Sequence, residues 1–268
     1  MKSIANIGLS DVQAVYGGPE GDLWELIMGQ QIHVGGFRSS MDLAEKAGIG
    51  SGMSGVDLCC CNGAGMRFLV RFRNVARMQG VDATETVVQR GRCRTAAEGL
   101  ADRIAFTVAD VLDSGLPGGS FDFVWGEDAW CYVTAKDRLI AEAARLVRPG
   151  GIVAFTDWIE GPAGLSDQEA QRFLKFMKFA NIQDMDGYVD LLRERGCKML
   201  VAEDTGRFAP CIDLYLKMLD VQLTYDALRI IGFDAGLMAG LAAEMQFIQD
   251  LAHAGKIAQG LFVARRGT

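Results

Sequence analysis

Histidine is almost missing from this chain: His33 and His253 are the only two in 268 residues. General-base and metal-ligand chemistry at neutral pH therefore has few candidates. No apolar run approaches the roughly 20 residues needed to cross a bilayer. The opening MKSIANIGLSDVQ also lacks the apolar centre of a secretory signal. Basic residues do not predominate, with 27 Lys and Arg against 34 Asp and Glu and a net charge of −7. The chain thus has no electrostatic footprint for nucleic acid or an anionic membrane. The cysteines are seven, an odd number, without a C-x-x-C pair. That spacing excludes a disulfide framework and points to a reducing, cytoplasmic setting. No G-x-x-x-x-G-K-[ST] phosphate loop, internal repeat, linker or low-complexity tract is present. What is there is apolar residues, 50% of the chain, enough for one large domain or a domain with an inserted cap.

Short β-rich runs alternate with helical stretches. Strands are expected at residues 54–60, in the run ending at Asp82, in the run 104–111 ending at Asp110, and at 120–129, 151–158, 197–206 and 256–266. Helices are expected over 65–74, 85–103 and 136–151, the last stopped by Pro149-Gly150-Gly151. Strands separated by helices of this length pair in parallel through right-handed crossovers. The fold class is α/β, doubly wound, with a mostly parallel seven-stranded sheet. The first fifty residues read as helical with glycine breaks at YGGPEGD and VGGF, forming an N-terminal segment before a main domain over 51–268. Helical insertions are expected near 159–195 and 209–254.

The stretch VDLCCCNGAGMR at 56–67 carries the chemistry. Consecutive strand residues point to opposite faces, so Cys59, Cys60 and Cys61 cannot share one tetrahedral metal site. Redox work would prefer C-x-x-C. The cysteines read as small buried side chains, and no metal is expected. The turn after them matters more. Gly63 and Gly65 lie where a strand must bend into a helix, allowing close approach of a ligand to backbone N–H groups. Asp82, at the end of the second strand, is placed to bind ribose hydroxyls. Asp110, with Val111 beside it, is placed to meet an adenine. A dinucleotide fingerprint would need glycine where Phe68 stands, so the pyrophosphate grip is unsupported.

These residues resemble the motifs of class I S-adenosylmethionine-dependent methyltransferases over roughly residues 10 to 220. In VDLCCCNGAG, Asp57, Gly63 and Gly65 match the first motif, and Cys59 and Cys61 stand where two glycines are usual. GVDATE resembles the second motif, VADVLDSGLPGGSFDFVWGEDA the third and fourth, and RLVRPGGIVAFTDW the segment that follows. The resemblance implies that S-adenosyl-L-methionine is held by Asp57, Cys59, Gly63, Asp82, Ala83, Asp110, Val111 and Glu127. The N-terminal VYGGPEGDLWELIMGQQIHVGGF is similar to the opening of the sarcosine/dimethylglycine and phosphoethanolamine N-methyltransferases. In that group the segment is a lid, which would set Tyr16, Ile32 and His33 against the cofactor. WGEDAWCYV resembles the group's stretch after the fourth strand, with Asp128 and Ala129 matching, but Tyr132 stands where the group has histidine.

Tyr16, His33, Asp128 and Tyr132 are therefore the catalytic candidates. Asp128 could attract a cationic amine, and Trp130, Trp158 or Tyr132 could offer it an aromatic face. The expected activity is methyl transfer to a small molecule, plausibly at an amine nitrogen. One alternative is an O- or C-methyltransferase of a natural-product or lipid-like acceptor, favoured by Tyr132, 12 methionines and the apolar C-terminal helices. Another is a non-catalytic cofactor-binding protein, favoured by the two altered glycines. The expected partners are a small-molecule acceptor and, as an assembly to consider, a second copy in a homodimer. Nucleic acid and a membrane span are not expected.

Overall fold

Central strands buried on both faces, flanked by half-exposed edge strands, alternate with helices from residue 54 onward. In the computed structural model, which describes all 268 residues, this alternation builds a twisted sheet. The chain begins with β1 (Lys2–Ser3), α1 (Leu9–Tyr16), α2 (Pro19–Met28) and α3 (Gly36–Lys46). There follow β2 (Ser54–Leu58), α4 (Ala64–Phe72), β3 (Arg77–Asp82), α5 (Glu85–Ala97), β4 (Ile104–Val108) and β5 (Phe121–Glu127). A 3₁₀ turn (Trp130–Tyr132) leads to α6 (Lys136–Leu146) and β6 (Val147–Glu160). Then come α7 (Asp167–Met177), β7 (Asn181–Asp184), α8 (Met185–Glu194), β8 (Cys197–Asp204), α9 (Phe208–Met218), α10 (Thr224–Ile230), α11 (Ala235–His253) and β9 (Ile257–Arg266).

The seven expected strands run β4-β3-β2-β5-β6-β9-β8. Pairings among β2 to β6 are parallel, and β9 lies antiparallel between β6 and β8. Two short strands add to them: β7 pairs in parallel with the last residues of β6, and β1 pairs antiparallel with β7. The chain winds outward from β2 to β4 and then returns to place β5 on the other side of β2. The crevice at this reversal is where open parallel sheets bind ligands.

Each face of the sheet has its own core. Leu139, Ile140 and Ala143 of α6 and Leu192 of α8 cover one face; Leu43 of α3 and Met66 and Leu69 of α4 cover the other. A third cluster joins Phe173 and Leu174 of α7 to Ile212 of α9 and Ile248 and Leu251 of α11. No helix is long and apolar enough to cross a membrane.

Several boundaries differ from expectation. The strand expected at 54–60 stops at Leu58, and the one expected to reach Asp110 stops at Val108. The helix expected over 136–151 ends at Leu146, and β6 starts at once. The region 159–195, expected to be mostly helical, contains the end of β6 and all of β7. The helical insertion expected near 209–254 is interrupted by a π turn at Leu219–Leu223. There the Thr224 hydroxyl donates to the carbonyls of Leu219 and Asp220, which opens the ladder.

Gly55 shows how tightly the central strands meet. A Cβ there would fall 2.2 Å from Phe123 Cζ, and Phe123 is fully buried. Gly55→Ala is expected to cost about 1–3 kcal/mol through overpacking, measured by denaturant unfolding. A loss below about 0.5 kcal/mol would mean that the Phe123 ring relaxes freely.

Candidate functional site

The carboxyl ends of β2, β3, β4 and β5 open into a cavity with about 1100 Å³ of empty space including its open mouth, roofed by residues from α1 and the loop before α3. Its floor is the loop after β2. Cys59 (φ 66°) and Cys61 (φ 47°) adopt the left-handed conformation, as does Gly63 (φ 74°). The argument from strand alternation therefore does not apply to these cysteines, because they stand beyond the strand. Their conformation is the one that glycine adopts freely and that costs other residues energy. Burial pushes the Cys61 thiol up to about 12 and raises those of Cys59 and Cys60 further from reactivity. No group of three or more potential ligand side chains gathers anywhere in the molecule.

Hydrogen bonds hold this loop in place. The carboxylate of Asp82 accepts the N–H of Cys61 at 2.9 Å and that of Thr84 at 2.9 Å. Asn62 Oδ1 accepts the N–H of Ala64, forming an Asx turn that leads into α4. Gly63 is not among the cavity-lining residues; its left-handed backbone forms the turn, and a Cβ there would strike Phe106 at 2.5 Å. Asn62, Ala64 and Gly65 provide the lining instead.

Gly65 marks the electrostatic centre. A Cβ on it would lie 2.7 Å from Glu127 Oε2 and 3.6 Å from Asp57 Oδ2. Two carboxylates thus converge on one small volume at the start of α4. Burial pushes the Asp57 carboxyl well above its ordinary value, and the charges of Glu127 and Asp82 add to the shift. No cationic side chain lies among the cavity-lining residues.

The N-terminal segment is fastened over this centre. Ser40 Oγ donates to Glu127 Oε1 at 2.6 Å, and His33 Nε2 lies 3.2 Å from the same hydroxyl and 3.3 Å from Glu127 Oε1. His33 is buried and its Nδ1 has no partner. Asp128 accepts the N–H of Val34 at 2.8 Å and two contacts from Gln259 Nε2, at 3.0 and 2.8 Å. Asn62 Nδ2 donates to the Gln30 carbonyl, and Gln13 Nε2 to the Ala83 carbonyl. The Tyr16 hydroxyl donates to that of Tyr132 at 2.8 Å, with the rings edge to face 5.4 Å apart. Burial carries both phenols well above 10.

Asp57, Cys59, Asp82, Ala83, Asp110, Val111, Glu127, Asp128, Tyr16, Ile32, His33 and Tyr132 all line the one cavity. Asp110 does so from the turn after β4, where its carboxylate accepts the Leu112 N–H. Asp128 faces the N-terminal segment and β9, so the geometry makes it a latch before an acceptor contact. Trp130 is fully buried, stacked on Phe155, and donates to the Leu58 carbonyl. Trp158 belongs to the buried aromatic cluster with Phe173, Phe179 and Phe208. Neither offers a face to the cavity; Tyr132 does. His253 is exposed and pairs with Asp213. Sequence reasoning missed Gln30, Asn62, Ser40 and Gln259. Asn62 was legible as the residue before the Gly63 turn, but the Ser40 and Gln259 partners lie 87 and 131 residues from theirs.

Residues 56–155 match the family described as a methyltransferase domain. A 27-O-demethylrifamycin SV methyltransferase of Amycolatopsis mediterranei is 27% identical over 202 residues, 70% of this chain and 74% of that one. Matched segments of the curated relatives span between 30% and 74% of those proteins' own length. Among solved structures, a Galdieria sulphuraria protein described as a sarcosine dimethylglycine methyltransferase superposes with a TM-score of 0.83 at 20% identity, covering 93% of this chain and 97% of that one. A Haemonchus contortus phosphoethanolamine N-methyltransferase, solved with phosphomonomethylethanolamine and S-adenosylhomocysteine, gives 0.86 at 18% identity, over 99% of this chain and 61% of that one. At such identities the likeness is one of fold.

Cys61→Gly is expected to leave stability unchanged or raise it by up to about 1 kcal/mol, since relief of the left-handed backbone is partly offset by the entropy of glycine. Thermal unfolding checks this. A loss above about 1 kcal/mol would give the thiol a role of its own.

Proposed function

Because the chain belongs to the class I S-adenosylmethionine-dependent methyltransferases, we propose that this cavity seats the cofactor at the end of β2 and transfers its methyl group to a small-molecule acceptor, at an amine nitrogen. The observation that carries the placement of the cofactor is the carboxylate pair at Gly65. Two acids held together without a cation raise the cost of their own ionisation. A ligand ammonium between them removes that cost, and Gly65 leaves the space. S-adenosylmethionine fits this requirement and supplies, when bound, a methyl group on a positively charged sulfur. The first-turn N–H groups of α4 suit its carboxylate. Asp82, each of whose oxygens has accepted one N–H, retains lone pairs for ribose hydroxyls. Asp110 and Val111 would border the adenine.

Methyl transfer by in-line displacement depends on alignment, and a base is needed only if the nucleophile must lose a proton. Tyr16 and Tyr132 are poor bases here, since burial keeps both phenols protonated. Asp128 is committed to Val34 and Gln259. An amine that arrives as its free base requires none of these groups to take a proton, which supports nitrogen as the acceptor. A second reading, O-methylation, is favoured by one observation: His33 has Nε2 beside Glu127 and an unpartnered Nδ1. A histidine oriented in this way is arranged to accept a proton from a hydroxyl. Release of S-adenosylhomocysteine from matched amines and phenols, in wild type and His33→Gln, separates the readings. Amine turnover that survives the substitution supports the first, and phenol turnover that collapses supports the second.

The Asp57 shift has a definite sign. Its folded-state value is raised, so on going up in pH the unfolded chain gives up the proton first, near 3.9. Stability of the cofactor-free protein should therefore fall as pH rises from about 4, levelling off above the folded value. Asp57→Asn is expected to flatten that slope while weakening cofactor binding at neutral pH by roughly tenfold or more, the usual cost of losing a charged hydrogen-bond partner. Calorimetric scans and titrations across pH test both. A slope unchanged in the variant would remove Asp57 from this role.

Tyr16 should act in closure. Tyr16→Phe removes the hydrogen bond to Tyr132 and is expected to slow turnover severalfold with little change in melting temperature. Equal losses of turnover and melting temperature would make the ring a packing element only.

A further inference from the structure

We infer that the acceptor of this enzyme carries an apolar body and no anionic group, neither phosphate nor carboxylate. The inference rests on the methyltransferase reading and concerns the part of the cavity that the cofactor leaves. No lysine or arginine lines the cavity, whereas five acids do: Asp57, Asp82, Asp110, Glu127 and Asp128.

The cations that come nearest are spent elsewhere. Arg90 is paired with Asp22 at 2.9 Å and Glu25 at 3.4 Å. Arg67 is turned to Glu98 at 2.9 Å, the Asn62 carbonyl at 2.7 Å and Gln30 at 2.8 Å. Lys136, buried beneath the 3₁₀ turn, donates to the carbonyls of Val133 at 2.6 Å and Cys131 at 3.3 Å. Arg207 is held by Asp42 at 2.5 Å. Redirecting any of them would strand a carboxylate or carbonyl in partial burial.

The anion-friendly feature of the cavity is the start of α4 beside Gly65, at the cofactor end, where the cofactor's own carboxylate belongs. Away from that end the wall has the apolar Ile32, Ala129 and Val133 and the paired tyrosines beside the polar His33, Asp128 and Thr134, with no lysine or arginine among them. Tyr132 leans edge to face on Phe179, 4.8 Å away, and through it on the buried Trp158. An anion in this space would lose its water, gain no counter-charge and face the field of Asp57, Asp82 and Glu127. An uncharged ring or aliphatic chain, or a neutral amine on such a body, loses little hydration and gains apolar contact. This sets the chain apart from proteins of the same fold named for phosphoethanolamine or dimethylglycine.

The test uses matched pairs in which a small alkyl ester replaces the carboxylate, added to the protein saturated with S-adenosylhomocysteine and followed by calorimetry: dimethylglycine with its ethyl ester, and 4-hydroxybenzoate with its methyl ester. Phosphoethanolamine is included alone. The neutral ester of at least one pair is expected to bind at least 100-fold more tightly than its acid, with phosphoethanolamine not binding. An acid that binds as well as its ester, measurable phosphoethanolamine binding, or no binding by either ester would overturn the inference. Failure of S-adenosylhomocysteine itself to bind would instead overturn the methyltransferase reading beneath it.

Discussion

Two carboxylates that cannot both ionise comfortably without a cation organise this molecule. Asp57 and Glu127 leave neighbouring parallel strands on the same side of the sheet and meet over Gly65. The sheet makes the encounter unavoidable, because β2 and β5 pair in register and end together. What the protein adds is incomplete compensation. Ser40 donates one short hydrogen bond to Glu127 and His33 lies within reach of the same oxygen, yet Asp57 receives no such partner and its carboxyl stays raised. A site fully satisfied by its own side chains would have no affinity left for a cationic ligand.

The same acids explain why the N-terminal segment lies where it does. Ser40 and His33 come from that segment, and Asp128, the residue after Glu127, takes its Val34 N–H. Gln259 of the last strand holds the far side of Asp128 and the Val34 carbonyl. Three regions distant in sequence are thereby joined through adjacent carboxylates. Closure of the roof and the charge state of the site share the same atoms, so a ligand that changes one must bias the other. Two rows of ions on the outer surface, Asp22 and Glu25 of α2 against Arg90 and Arg94 of α5, reinforce the contact, but exposed pairs contribute little each.

Much of this was legible before any coordinates. The doubly wound sheet followed from strand and helix alternation, Asp82 and Asp110 could be placed at one edge because strand ends gather there, and Asp57 and Glu127 were added by the motif resemblance. What could not be read was conformation that only tertiary context decides. The cysteines looked like strand residues because cysteine suits strands; that Cys59 and Cys61 take positive φ depends on Asp82 reaching across from β3 to hold the Cys61 N–H. Asp128 looked like a free acid because nothing nearby in sequence satisfies it, whereas its partners are Val34 and Gln259. Trp130 and Trp158 looked available for the opposite reason: sequence gives an aromatic residue its chemistry but not its burial.

Tyr132 joins these strands of argument. In the related group a histidine stands at its position, a residue that can exchange a proton near neutral pH. A buried phenol cannot, and its partner Tyr16 is equally unsuited. A tyrosine here removes proton transfer near neutral pH from that point of the cavity. Either the nucleophile reaches the cofactor already able to react, or the task falls to His33 on the other side of Glu127. The tyrosine pair lines the cavity with two rings and a neutral hydroxyl pair, continuous with the aromatic cluster behind them. The chemistry left to this wall is to exclude water and fix the acceptor's orientation, and alignment of this kind is the larger part of what methyl transfer from a sulfonium requires.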